Sequence, residues 1–216
     1  MDLYGFIKVR KMVRTGSLFI GYLRFLIQIR LRKCRGGQLR LIIGSSGTYH
    51  AGWISTEESW LDISNSSDWE KYFAPGEIDA IVAEHVFEHI EVSLIQQSLH
   101  NIYKYLRPGG YVRIAVPDGY HPSEKYIRQV MPGGTGPGAM DHKSLFTHTS
   151  LAAPLTQTGF ELIFLEYFDI NRKFHKHSWN PKDGLIHRSL EFDKRNLFGT
   201  NNYSSIIVDA TKPKVT

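Results

Sequence analysis

A chain of 216 residues, 42% apolar and 22% charged, suits one domain with its own core and is too short for two comfortable ones. These values exclude disordered, collagen-like and polytopic membrane chains, and the single cysteine, Cys34, excludes an internal disulfide and a cysteine-rich zinc module. The net charge of +5 is uneven: residues 1–40 hold ten Lys/Arg against one acid, net +9, whereas the other 176 hold 16 basic against 20 acidic residues, net −4.

The basic charge thus belongs to an N-terminal arm, residues 1–36, that precedes a body of residues 37–216. It is not spread over a folded face with interleaved aromatics, so no nucleic-acid partner is expected. In the arm, Ser17, Gly21, Arg24, Gln28, Arg32 and Arg35 recur at steps of three or four, and Leu18, Tyr22, Phe25, Leu26 and Ile29 fill the opposite side. That is the period of an amphipathic helix. The apolar run 18–29 is short and has Arg24 at its centre, which argues against a membrane span, and no cleavage site of secretory type follows. Three readings stand: a helix packed on the body, a helix lying on an anionic membrane surface, or an Arg-rich presequence. A single cysteine suits a reducing compartment, so the expected location is cytoplasmic, with peripheral membrane contact through residues 1–36.

From Gln38 the chain alternates short β-rich runs with helical stretches. LRLII (39–43) reads as a buried strand ending at Gly44, and WIST (53–56), WLDI (60–63) and IDAIVA (78–83) are further strand candidates. Residues 92–106 place Leu94, Ile95, Leu99, Ile102 and Leu106 at helical spacing, and Arg107-Pro108-Gly109-Gly110 ends the helix. YVRIAV (111–116) is a strand, 150–158 a helix closed by Gly159, and 160–168 and 203–210 are strands. Two segments stand outside this pattern. The glycine-rich run 131–138 fits either a lid or a surface loop, and the polar run Phe174–Asn180 fits either an acceptor-pocket wall or an exposed insertion.

Strand–helix alternation calls for a mostly parallel sheet, with ligands at the carboxyl ends of the strands. The first such loop is Gly44-Ser45-Ser46-Gly47. It is not a P-loop, because Trp53 stands where lysine is needed, and it lacks the G-x-G-x-x-G dinucleotide fingerprint. Glu57 and Glu58 follow the second strand, where a carboxylate can accept hydrogen bonds from a ribose diol.

Residues 39–118, read as LRLIIGSSG-TYHAGWISTE, WLDIS, IDAIVAEHVFEHI and YLRPGGYVRIAVPD, resemble compact bacterial class I S-adenosylmethionine-dependent methyltransferases, and the likeness extends more loosely to the last strand. The resemblance implies a Rossmann-like α/β three-layer sandwich, mostly parallel with an antiparallel last strand. It also implies S-adenosylmethionine as cofactor. Gly44, Ser45 and Ser46 would hold its methionine part, Gly47 belonging to the same loop, and Glu57 would hold its ribose. Asp62 would approach the adenine amino group, and Ala83, Glu84 and His85 would line the pocket beside the sulfonium. Two positions depart from the family pattern: Ser46 replaces a glycine, with Gly47 one position late, and Glu57 replaces an aspartate.

The expected reaction is methyl transfer to a small-molecule, glycan or lipid-linked acceptor, with His85, His142 and Asp118, in that order, as base candidates. Two alternatives belong to other classes. One is a methyltransferase-like domain that no longer catalyses and serves as a membrane-associated partner. The other is a zinc peptidase, because His85-x-x-Glu88-His89 matches H-x-x-E-H. That motif follows directly on an apolar strand and no spacing supplies a third ligand, so the expected metal content is none.

Overall fold

The computed structural model describes residues 3–214, with side chains from residue 18 onward except those of 197–199. Helix α1 (Leu3–Arg35) carries the predicted period, and its apolar side turns onto the body. Phe25 and Ile29 are buried in the main core, and Tyr22 and Leu26 pack against it. Phe25 meets the Tyr72 ring edge-on, with centroids 4.9 Å apart. Gly21 lets Trp60 approach to 3.4 Å of where a Cβ would stand. Of the three readings of the arm, the structure therefore shows packing on the body for this half. The other side of the helix, Phe19, Ile20, Leu23, Ile27 and Leu31, stays exposed. The side chains of Lys8, Arg10, Lys11 and Arg14, part of the arm's charge, lie outside the described residues.

Seven strands form one sheet in the order β2-β1-β3-β4-β7-β5-β6: β1 (Arg40–Ile43), β2 (Ile54–Ser55), β3 (Ile78–Glu84), β4 (Leu106–Pro117), β5 (Glu161–Phe168), β6 (Phe174–Lys176) and β7 (Ser205–Thr211). The pairs β1–β2, β1–β3 and β3–β4 are parallel. The last strand, β7, enters antiparallel between β4 and β5, as expected, and β6 adds a short antiparallel edge. WLDI is not a strand. The Asp62 carboxylate accepts from the backbone N–H and hydroxyl of Ser64, and this local turn outcompetes strand pairing. Leu106 opens β4 rather than closing the preceding helix, α3 (Val92–Tyr105).

The two faces of the sheet are covered differently. One core receives Phe25 from α1, Trp69 from α2 (Ser66–Tyr72), Leu99 and Ile102 from α3, and Leu151 and Leu155 from α5 (His148–Thr158), which follows the short α4 (Glu124–Val130). The second core has no helical member: Trp53, Trp179 and Ile186, from irregular segments, cover Ile42, Val82, Ala115 and Ile207. The third layer of the sandwich is thus largely the chain around residues 179–190. It sits close enough that a Cβ on Gly184, at φ +117°, would lie 2.5 Å from Val82 Cγ2. Buried Arg113 anchors it, donating to both oxygens of Asp209 and to the carbonyls of Gly184 and Asn180 while lying 4.9 Å from the Trp179 ring centre.

Candidate active site

Strand order reverses about β1, which has β2 on one side and β3 on the other. The loops leaving the carboxyl ends of β1 and β3 therefore diverge and leave a crevice. Two lobes open there, of about 710 and 540 Å³, sharing Ile43, Gly44, Ser46, His85 and His89 as lining. Both are of the size that takes a small organic ligand.

Three positions of the β1 loop, Gly44, Ser46 and Gly47, hold left-handed backbone. Gly44 sits at φ +58°, where a Cβ would come within 3.1 Å of Val86, and Ser46, not a glycine, sits at φ +46°. Holding a serine there costs about 1–2 kcal/mol, the kind of strain that functional loops carry. Glu57 latches the loop: its Oε1 accepts from Ser45 Oγ at 2.6 Å and from Gly47 N–H at 3.3 Å, leaving Oε2 without a partner among the described residues. The extra methylene relative to aspartate gives the reach for this latch. Asp62 and Glu57 both line the smaller lobe, and Asp62 spends Oδ1 on Ser64 and keeps Oδ2. The β1 loop, with Glu57 Oε2 and Asp62 Oδ2 beside it, fits the methionine and ribose parts of S-adenosylmethionine. Gly44, Ser45 and Ser46 would hold the former, Glu57 the latter.

At the end of β3, Ala83 is buried in the core below the lobes rather than exposed to them, and Glu84 lines the larger lobe. Glu84 is already committed: Oε1 accepts from the Arg188 N–H at 2.7 Å and Oε2 from the His187 N–H at 3.1 Å. Its carboxylate therefore fixes the covering segment rather than reaching freely for a ligand. His85 lies between the lobes with left-handed backbone, φ +55°. Its Nδ1 is 2.9 Å from Glu88 Oε1, and its Nε2 is 2.9 Å from Ser205 Oγ, which donates to the Arg188 carbonyl. Both ring nitrogens are engaged, so His85 is held as a post between the lobes. Burial acts to raise the Glu88 carboxyl, but the charge and hydrogen bond of His85 outweigh it and hold the group below the usual carboxylate range.

Asp118 lies away from the crevice. It is fully buried, and its carboxylate accepts from the Tyr120 and Phe168 N–H groups at 2.9 and 2.7 Å. Burial, only partly offset by those bonds, pushes its carboxyl up to about 6. It organises the chain after β4 and does not meet a ligand. His142 does line the larger lobe. Its Nδ1 donates to the Val130 carbonyl at 2.7 Å, which leaves Nε2 without a hydrogen-bond partner among the described residues. Edge-on to it, with ring centres 4.7 Å apart, stands His89, whose pKa is lowered chiefly by burial and also by the neighbouring histidines.

The glycine-rich run forms a wall of this lobe. Gly134, Thr135 and Gly136 donate to the carbonyls of Met131, Arg128 and Gln129, an approach so close that a Cβ on Gly136 would lie 2.6 Å from the Gln129 oxygen. Sequence reasoning missed His50, His187, Arg188, Arg195 and Tyr203, which line the lobe from segments without hydrophobic periodicity. Arg195 is spent on Asp193 and stacks 3.3 Å over Tyr203. Arg188 makes no side-chain hydrogen bond among the described residues, although its charge acts on Asp193 and Tyr203, and neither ring nitrogen of His50 has a hydrogen-bond partner. The H-x-x-E-H match does not form a peptidase site. Its histidines are not on one helix, because Phe87–His89 is a single 3-10 turn, and both ring nitrogens of His85 face other partners, Glu88 and Ser205.

A mostly parallel sheet with a glycine-containing loop after β1, a ribose-type carboxylate after β2 and an antiparallel β7 defines a class I methyltransferase fold. A methyltransferase-domain profile matches residues 45–165, more than half of the chain, and the protein belongs to that family. It is an enzyme of the S-adenosylmethionine-dependent kind. No curated protein sequence matches it significantly. Among solved structures it is similar to a SAM-dependent methyltransferase from Archaeoglobus fulgidus (16% identity, 88% of this chain, 94% of that one, TM-score 0.48). It is also similar to the YcgJ protein of Bacillus subtilis (11%, 90% and 100%, 0.45). Phosphoethanolamine N-methyltransferase 2 of Haemonchus contortus, in complex with S-adenosyl-L-methionine, is similar too (15%, 83% and 49%, 0.45), and this chain spans about half its length.

Proposed function

We propose that the protein methylates a hydroxyl-bearing small-molecule, glycan or lipid-linked acceptor held in the larger lobe. The observation that carries this is the meeting of the two lobes at Gly44, Ser46, His85 and His89, with His142, whose Nδ1 is taken by Val130, lining the larger one. S-adenosylmethionine supplies a methyl carbon activated by a positive sulfur, so the protein has two tasks, alignment and removal of the acceptor's proton. The β1 loop and Glu57 bind the donor, and the run 131–138 and the segment 184–190 close the acceptor side. His142, fixed in its tautomer by Val130, is the first residue to which the hydroxyl proton can go, with His89 beside it. The uncommitted Arg188 and His50 favour an acceptor with oxygen-rich or anionic substituents. The exposed apolar side of α1, flanked by Arg24 and Arg30, supports reversible contact with an anionic membrane.

The test is turnover to S-adenosylhomocysteine across hydroxylated acceptor panels. His142→Ala should lower the rate about 10²–10⁴-fold while cofactor affinity stays within a few fold. A His142→Ala enzyme with unchanged turnover would remove this residue from the reaction.

A further inference from the structure

Around His142 the structure gathers more ligating chemistry than proton removal requires. Glu88, His89 and His142 each offer a ligand atom, and these atoms lie within 4.8 Å of one another. Glu88 has no exposed surface, and although Oε1 faces His85, no hydrogen bond reaches Oε2. A buried carboxylate oxygen with nothing to accept is costly unless a cation or donor completes it. The imidazole of His142 is prepared as metal-ligating histidines are, with one nitrogen donating to a backbone carbonyl and the other bare. His89 is exposed and its ring makes no hydrogen bond among the described residues, so it is free to turn.

We propose that Glu88, His89 and His142 bind a divalent transition-metal ion of the zinc type, as a two-histidine, one-carboxylate set with its open positions facing the acceptor lobe. Ligand atoms on a tetrahedral zinc stand about 3.3 Å apart, given bonds of about 2.0–2.1 Å. Rotation of the His89 ring, which makes no hydrogen bond among the described residues, would supply the contraction from the present span. Imidazole donors select zinc, cobalt or nickel over magnesium or calcium. The site differs from the peptidase motif, because His142 comes from a distant segment and Glu88 is a ligand rather than the base. An acceptor hydroxyl entering the lobe would complete the shell, and coordination would lower its pKa. That role rests on the methyl-transfer reading: with Nε2 of His142 on the ion, ionisation of the bound hydroxyl, its proton leaving to water, would replace proton removal by His142. The binding of the ion does not rest on that reading.

The experiment uses the full chain, purified without a histidine tag and freed of metal by chelation. It is titrated with zinc chloride by calorimetry, and with cobalt(II) followed by visible absorption, both without cofactor. One site is expected, with a tetrahedral cobalt spectrum. Glu88→Gln, which preserves shape, and His142→Asn should each weaken binding by about 100-fold or more. His100→Ala, on the exposed side of α3, should change nothing. Circular dichroism of the metal-free variants shows that they are folded. Failure to bind zinc, or weak binding that Glu88→Gln and His142→Asn leave unchanged, overturns the proposal. S-adenosylhomocysteine affinity is measured separately, so a chain that binds zinc but not this ligand would refute the donor site and leave the metal site standing.

Discussion

Glu57 ties the donor reading to a measurable quantity. Its Oε1 is engaged by Ser45 and Gly47, whereas Oε2 is uncommitted, so one carboxylate performs two tasks that substitution can separate. Glu57→Ala removes both. Losing a charged partner of a ribose hydroxyl costs about 1.5–3 kcal/mol of affinity, a 10- to 150-fold rise in Kd. The loss of the latch leaves the buried Ser45 hydroxyl unpaired, at about 1 kcal/mol of stability. Glu57→Gln keeps an amide oxygen for Ser45 and Gly47 but puts an amide N–H₂ in place of Oε2. It should preserve the melting temperature and still lose about tenfold in affinity, because the negative charge is gone. Isothermal titration with S-adenosylhomocysteine, with thermal melts of the same preparations, reads both effects. An unchanged Kd in Glu57→Ala would refute the assignment. A Gln variant as tight as wild type would show that Glu57 serves the loop alone.

Ser46→Gly should raise stability by about 0.5–1 kcal/mol in chemical unfolding by releasing left-handed backbone strain, and a loss would show that the serine side chain holds the loop. Arg113→Ala, which strands the Asp209 carboxylate and frees the segment around Gly184, should cost about 3–5 kcal/mol; a loss under 1 kcal/mol would contradict its anchoring role. His121 is pushed down to about 4 by burial, so the unfolded chain binds the extra proton between pH 4 and 6.5. Wild-type stability relative to His121→Phe should therefore rise by about 2–3 kcal/mol from pH 4 to 6.5, and a flat difference would place this ring in solvent. Phe25→Ala should cost about 3–5 kcal/mol, whereas polar replacement of the outward Ile20, Leu23 and Ile27 should leave melting unchanged and abolish co-sedimentation with anionic vesicles.

The sequence by itself determined the elements whose pattern is local. The apolar runs of β1, β3 and β4, the 3.6-residue period of α3, and Gly159 closing α5 are written in neighbouring residues. The β1 loop and Glu57 were legible too, because ligand loops follow parallel strands wherever these occur. Partnership was not legible. Whether the apolar side of α1 meets lipid or Trp60 and Tyr72 depends on surfaces far away in the chain. Asp118 and Glu84 look like free carboxylates until the chain's return from Phe168 and His187 consumes their oxygens. The larger lobe is built by aperiodic segments, around residues 136–142 and 184–203, the second of which is held by hydrogen bonds to Arg113, Glu84 and Glu166 rather than by hydrophobic pattern. His142 reaches Glu88 only because the chain from Gly136 folds back over the 3-10 turn, with the Lys143 N–H donating to the Glu88 carbonyl at 2.6 Å. Composition and periodicity carry the energy of burial, which is local in sequence; the pairing of polar atoms is decided only when distant segments share one interior.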